Sequence, residues 1–106
     1  MVNMMKMMKQ AAEMQKNIQK IQADLAERTV EFSSGGGMVT AEARGDLTIS
    51  RITIDPKVVD PADVEMLEDL VLAAVDGALK SARDMVAEEM SKVTGGLGLP
   101  GGGLPF

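Results

Sequence analysis

The chain has 106 residues, with no Cys, His, Trp or Tyr and only two aromatic side chains, Phe32 and Phe106. Those absences exclude disulfides, thiol catalysis, Ser-His-Asp chemistry and His-ligated zinc, and they leave an aliphatic core of Val, Ile, Leu, Ala and Met. The formal charge of -5 is unevenly spread: residues 1–28 carry +2 and residues 29–106 carry -7, so a basic segment precedes an acidic body.

This length suits one domain with a modest core, for which dimerisation is an economical reinforcement. No apolar run approaches the ~20 residues needed to span a bilayer. The opening MVNMMKMMKQ is not a signal peptide, because Lys6 and Lys9 break it and no small-residue cleavage site follows. The expected location is the cytoplasm, with no membrane association.

Residues 3–27 read as a helix. Met4, Met7, Ala11, Met14, Ile18, Ile21 and Leu25 alternate spacings of three and four, an unbroken heptad seam. A narrow apolar stripe on so long a helix calls for a partner helix, either the other long helix of this chain or a second copy. Met7, Met14, Ile18, Ile21 and Leu25 are the expected packing residues. On the opposite face Lys6, Lys9, Glu13, Lys16 and Lys20 repeat the same spacing. Such a stripe is either a solvated helix face or a line of phosphate contacts along nucleic acid. No aromatic interleaves with it, so base stacking is not supported.

Thr29 to Phe32 alternates with period two and reads as a strand, followed by a turn at SSGGG. A second strand runs from Met38 to Arg44, with Val39, Ala41 and Ala43 on one face and Thr40, Glu42 and Arg44 on the other. Gly45-Asp46 reads as a two-residue hairpin turn. Leu47 to Ile54 is the third strand. Leu47 and Ile49 are out of phase with Ile52 and Ile54, which means a bulge near Ser50-Arg51 or a strand covered on both faces. The three strands make an antiparallel meander.

Asp55-Pro56 stops the third strand. Asp60 reads as the N-cap of a second long helix with Pro61 at its first position, and Asp63 and Glu65 suit the positive helix end. Its apolar residues form two adjacent stripes, Val64-Leu67-Val71-Ala74-Ala78 and Val75-Leu79-Ala82-Val86-Val93, a face wide enough for a sheet and a neighbouring helix. Gly77 inside the helix costs about 1 kcal/mol relative to Ala, which a close helix contact would explain. Asp76 and Asp84 lie four residues from Lys80, and Glu88 lies four from Lys92, the spacing of surface ion pairs. No acid sits four residues from Arg83. Thr94-Gly95-Gly96 reads as the helix end. Residues 1–94 are therefore one domain, and residues 95–106 a flexible Gly/Pro-rich tail with an apolar Phe106.

The remaining constellations have bland explanations. Met4, Met5, Met7, Met8 and Met14 could ligate a soft metal, but without Cys or His they read as adaptable packing. Asp55, Asp60, Asp63 and Glu65 lack the spacing of a calcium loop. SGGG is not followed by the Gly-Lys-Ser/Thr of a phosphate loop. No catalytic set, metal, cofactor or small-molecule substrate is expected.

The ordered set of segments resembles the YbaB/EbfC family of bacterial nucleoid-associated proteins. Met8-Lys9-Gln10-Ala11, Met14-Gln15-Lys16 and Ile18-Gln19-Lys20-Ile21-Gln22 are similar to its first helix. Gly37-Met38-Val39, Gly45 and Ile52-Thr53-Ile54-Asp55-Pro56 resemble its hairpin and third strand. Met66-Leu67-Glu68-Asp69-Leu70-Val71 with Ala73-Ala74 and Ala78-Leu79-Lys80 is the most specific stretch, and Leu104-Pro105-Phe106 is similar to its tail. Asp76-Gly77 departs from the family pattern, which has an amide followed by a more helix-favouring residue. The resemblance implies an α-β-β-β-α protomer of the α+β class, a homodimer with protruding helices, and binding of double-stranded DNA in the nucleoid with effects on nucleoid organisation and gene expression. Carried over residue by residue, it points to Lys6, Lys9, Lys16 and Lys20 as DNA contacts, with Lys80 and Arg83 beside them. The competing expectation is a non-enzymatic adaptor that binds a partner's helix through the Met-rich seam.

Overall fold

The computed structural model describes residues 3–96. Helix α1 (Met4–Glu27) is followed by strands β1 (Thr29–Ser34), β2 (Val39–Arg44) and β3 (Ile49–Ile54), and then by helix α2 (Val64–Gly96). The strands form one antiparallel sheet in the order β1-β2-β3, so the expected α+β meander is present. The expectations for the tail, Leu97 to Phe106, lie outside the described residues.

Cross-strand register sorts the sheet into two faces. Val30, Phe32 and Ser34 stand opposite Ala43, Ala41 and Val39, and Ile54, Ile52 and Ile49 stand opposite the same three from the other side. That face receives α2. Val39, Ala41 and Ala43 of β2 and Ala74, Ala78 and Ala82 of α2 are fully buried and form the core, with Val58 at its edge. Small side chains on both partners let the helix lie close to the sheet, so the core is dense but thin. The two stripes read from the sequence merge along the line Ala74-Ala78-Ala82. Val64, at the start of the first stripe, is exposed.

The phase break in β3 is a bulge. Glu42 pairs with Arg51 but Ala43 pairs with Ile49, leaving Ser50 as the extra residue. The Ser50 hydroxyl donates to the Glu42 carbonyl oxygen at 3.2 Å and lies 2.8 Å from Glu42 Oε1, which ties the bulge to its neighbour. The bulge returns Ile49 to the face of Ile52 and Ile54.

Three local expectations need correction. The β2–β3 turn holds three residues, not two. Leu47 N–H donates to the Arg44 carbonyl at 2.9 Å, Arg44 N–H donates to Thr48 at 2.8 Å, and Leu47 takes a positive φ of 66°. The third strand accordingly starts at Ile49, because Leu47 belongs to the loop. The cap of α2 is Asp63, whose Oδ1 accepts from Met66 N–H at 3.2 Å, while Asp60 accepts from Ala62 N–H in the preceding turn. At the other end the described part of α2 runs to Gly96, within the Thr94-Gly95-Gly96 segment read as the helix end.

The turn expected at SSGGG is confined to its glycines, because Ser33 and Ser34 extend β1. Gly35, Gly36 and Gly37 all have positive φ (59°, 67° and 95°), a run that only glycine adopts without strain. Ser34 Oγ fastens the turn to α2 by donating to the Leu70 carbonyl at 2.6 Å.

Candidate nucleic-acid interface

The described chain is not compact. Its radius of gyration is 20.2 Å and its extents are 76 × 24 × 16 Å, whereas a compact domain of this length has a radius of about 13 Å. The excess length lies in the helices. Helix α1, ~36 Å long by its residue count, is rooted at one end. There Gly45 N–H donates to the Arg28 carbonyl at 2.9 Å and Asp46 N–H to the Ala26 carbonyl at 3.3 Å. Leu25, the one buried residue of α1, sits at the same root. Gly45 is required by proximity. A Cβ there would lie 1.9 Å from the Leu25 carbonyl oxygen.

The chain leaves α1 at Arg28, whose guanidinium meets Glu89 of α2 at 3.5 Å. Beyond this bridge the C-terminal turns of α2 rise beside α1 in the opposite direction. Lys92 and Val93 face Gln10, Glu13, Met14, Asn17, Ile18 and Ile21 across a cleft of about 470 Å³. The heptad seam is thus covered from the root upward. Leu25 is buried, Ile21 and Ile18 are half-buried, and Met14, Met7 and Met4 are 42, 55 and 72 % exposed. Among the described residues, the expected burial of the seam holds only in its lower half, because the described part of α2 does not reach the upper half.

All four lysines of the opposite stripe, Lys6, Lys9, Lys16 and Lys20, are exposed. None of them belongs to an ion pair among the described residues; the pairs formed are Arg28–Glu89, Lys92–Glu88 and Lys92–Glu89. No acid occupies the first turn, and Asn3 caps it by accepting from Lys6 N–H at 3.1 Å. The stripe spans ~21 Å of helix, interrupted by the single acid Glu13. Its upper half joins two lysines to the positive end of the helix dipole, a combination suited to anions.

Lys80 and Arg83 are exposed as well, but the structure does not bring them to this stripe. They lie on α2 about two turns below the Arg28–Glu89 bridge, over the body, whereas the lysines lie above it. Of the ion pairs expected on α2, Lys92–Glu88 forms at 3.9 Å; Lys80 has no carboxylate within 4.0 Å among the described residues.

One surface was not anticipated. Helix α2 lies over β1 and β2, leaving β3 overhanging with Ile52 and Ile54 43 and 36 % exposed on the helix-facing side. The β1 flank of α2 is filled, since Leu70 meets Gly35 and Gly77 meets Phe32. The opposite flank carries Leu67, Val71, Leu72 and Val75 around a shallow apolar cleft, with Leu72 60 % exposed. Leu72 belongs to neither stripe read from the sequence, and that was the available signal.

A small α+β body that holds a row of exposed lysines out on a projecting helix presents cations to a polyanion such as DNA. The chain belongs to the YbaB/EbfC DNA-binding family, whose sequence profile matches residues 1–97; this is a DNA-binding family, not an enzyme family. It is 55 % identical over 100 residues to a nucleoid-associated protein of Acetivibrio thermocellus, covering 93 % of this chain and 88 % of that one. It is 52 % identical over 99 residues to a nucleoid-associated protein of Alkaliphilus metalliredigens, covering 93 % and 87 %. The crystal structure of the uncharacterized protein HP0035 from Helicobacter pylori superposes with a TM-score of 0.60 at 19 % identity, over 76 % of this chain and 93 % of that one. At that identity the likeness supports the fold alone. Among the described residues no helix is long and apolar enough to cross a membrane.

Proposed function

We infer that two copies of this chain form a homodimer whose basic arms hold duplex DNA by its phosphates in the bacterial nucleoid. The observation that carries this reading is the row Lys6, Lys9, Lys16 and Lys20, exposed and in no ion pair among the described residues, on a helix that projects from the body. The arm carries these charges away from the carboxylates of the acidic body, with Glu13 the single acid inside the row, so attraction to phosphate acts where most of the repelling charge is distant and screened. Phosphates carry no sequence information, so selectivity is weak unless Gln10 or Asn17 reaches base edges. Lys80 and Arg83, over the body, have at most a secondary part.

Fluorescence anisotropy of a labelled duplex at several salt concentrations tests the mechanism. Four lysines on four phosphates give a log–log salt slope of about -3.6 per arm, and two arms double it. Lys9→Glu with Lys16→Glu is expected to abolish binding at moderate salt while leaving the melting temperature unchanged, since both residues are exposed. Unchanged affinity would overturn the mechanism.

The dimer contact we assign to the overhang. Ile52 and Ile54 form its floor, and Val71, Leu72 and Val75 its wall. An apolar recess between a sheet and a helix fits the same recess of a second copy, as two-fold interfaces require. Leu72→Asp should shift sedimentation from dimer to monomer; an unaltered dimer would place the contact elsewhere.

A further inference from the structure

Among the described residues, nothing covers the apolar seam of the upper arm. Above the cleft that Val93 shares with Met14, Ile18 and Ile21, α1 continues with Ala11, Met8, Met7 and Met4 lining a second apolar hollow of about 280 Å³. The described part of helix α2 reaches Gly96, one turn beyond Val93, at the foot of this stretch. The ten residues that follow are LGLPGGGLPF, with Leu97, Leu99, Leu104 and Phe106 and no charged side chain. Fully extended they reach ~33 Å, and the seam from Met14 to Met4 is ~15 Å long. Slack therefore remains for the Gly101-Gly102-Gly103 run to adjust register. Pro100 and Pro105 restrict the backbone and lower the entropy lost on docking. Charge agrees with position: Val93, near the described end of α2, lies on the seam side of α1, away from the lysine stripe, and the sequence that follows carries no charge.

We propose that residues 97–106 dock along the Met4-Met7-Ala11-Met14 seam of their own chain, the near leucines against Met14 and Ala11 and the Leu104-Pro105-Phe106 end against Met7 and Met4. This turns the arm into a two-stranded strut with one apolar, covered face and one basic, open face. The inference does not depend on DNA binding and stands or falls separately from it.

The test uses the full chain with ¹³C-methyl-labelled methionine. A Leu99→Ser/Leu104→Ser/Phe106→Ser variant keeps the chain length and removes the apolar contacts. The methyl signals of Met4, Met7 and Met14 are expected to move toward solvent-exposed positions, while those of Met66, Met85 and Met90 stay fixed. Amide exchange over residues 4–14 should accelerate by about tenfold or more. A chain truncated after Gly96 should give the same methyl shifts. Unmoved Met4, Met7 and Met14 signals in both variants would overturn the proposal. So would a mixture of labelled truncated chain with unlabelled full chain in which those signals return to their native positions, since the cover would then come from another copy.

Discussion

The body and the arm solve opposite problems with similar apolar patterns. In the body, a run of alanines on α2 meets alanines and a valine on β2, and all six side chains are fully buried. In the arm, larger side chains at stricter spacing leave Met4, Met7 and Met14 exposed. Apolar size therefore does not predict burial here. Alanines are buried because they permit backbones to approach closely, so little area is gained per residue but none is left uncovered. The methionines are exposed because the sheet lies at the root of α1 and the described part of α2 reaches only halfway up. A periodic apolar stripe states that a partner is needed and is silent on whether the same chain supplies it.

The junction between the two regions is where the largest mutational effect is expected. Gly45→Ala places a Cβ 1.9 Å from the Leu25 carbonyl oxygen and 2.7 Å from its carbon, both backbone atoms that cannot swing aside. Relief requires moving the end of α1 away from the turn, with loss of the hydrogen bonds from Gly45 to Arg28 and from Asp46 to Ala26. The cost should be about 3 kcal/mol, a fall in melting temperature on the order of 15 °C, measured at matched protein concentration. Hydrogen exchange should rise first in the amides around Leu25 to Arg28. If melting is unchanged, the arm is not clamped by this contact, and the contrast between a fixed root and a free upper arm fails.

What could be read from the residues divides along the same line. The order of elements, the Val39-Ala41-Ala43 face, the glycine turn and the bulge at Ser50 were legible because each rests on local periodicity or on a backbone preference. The lysine stripe was legible as a stripe, since helical spacing alone places Lys6, Lys9, Lys16 and Lys20 on one face. Its distance from the acidic body was not, because that depends on how far α1 projects. Lys80 and Arg83, secondary candidates from the resemblance, sit on a different part of the molecule from the arm lysines. The overhang of β3 was hidden for the same reason. Ile52 and Ile54 follow a core pattern, and only the placement of α2 over β1 and β2 leaves them bare. Gly45 was noticed for the wrong reason: its place in a hairpin suggested turn geometry, whereas the structure uses its missing side chain to admit the Leu25 carbonyl.

Gly77 offers a smaller and sharper test of how the body is packed. Its absent Cβ was expected to serve a helix contact; instead it opens space for Phe32 of β1, whose Cδ1, Cε1 and Cγ would lie 2.2, 2.3 and 2.6 Å from an added Cβ. Unlike the carbonyl at Gly45, this ring belongs to a side chain and is 42 % exposed, so it can turn outward. Gly77→Ala then gains about 1 kcal/mol of helix propensity and loses a comparable amount as ~40 Å² of ring leaves the helix surface. The expected net change is within about 0.5 kcal/mol, with the Phe32 ring signals displaced. The cycle with Phe32→Ala separates the two terms. In that background the obstruction is gone, and Gly77→Ala should stabilise the protein by about 1 kcal/mol. If it destabilises equally with and without the ring, Phe32 is not what the glycine accommodates, and a surface outside the single chain, such as a second copy resting on α2, becomes the reason for its presence.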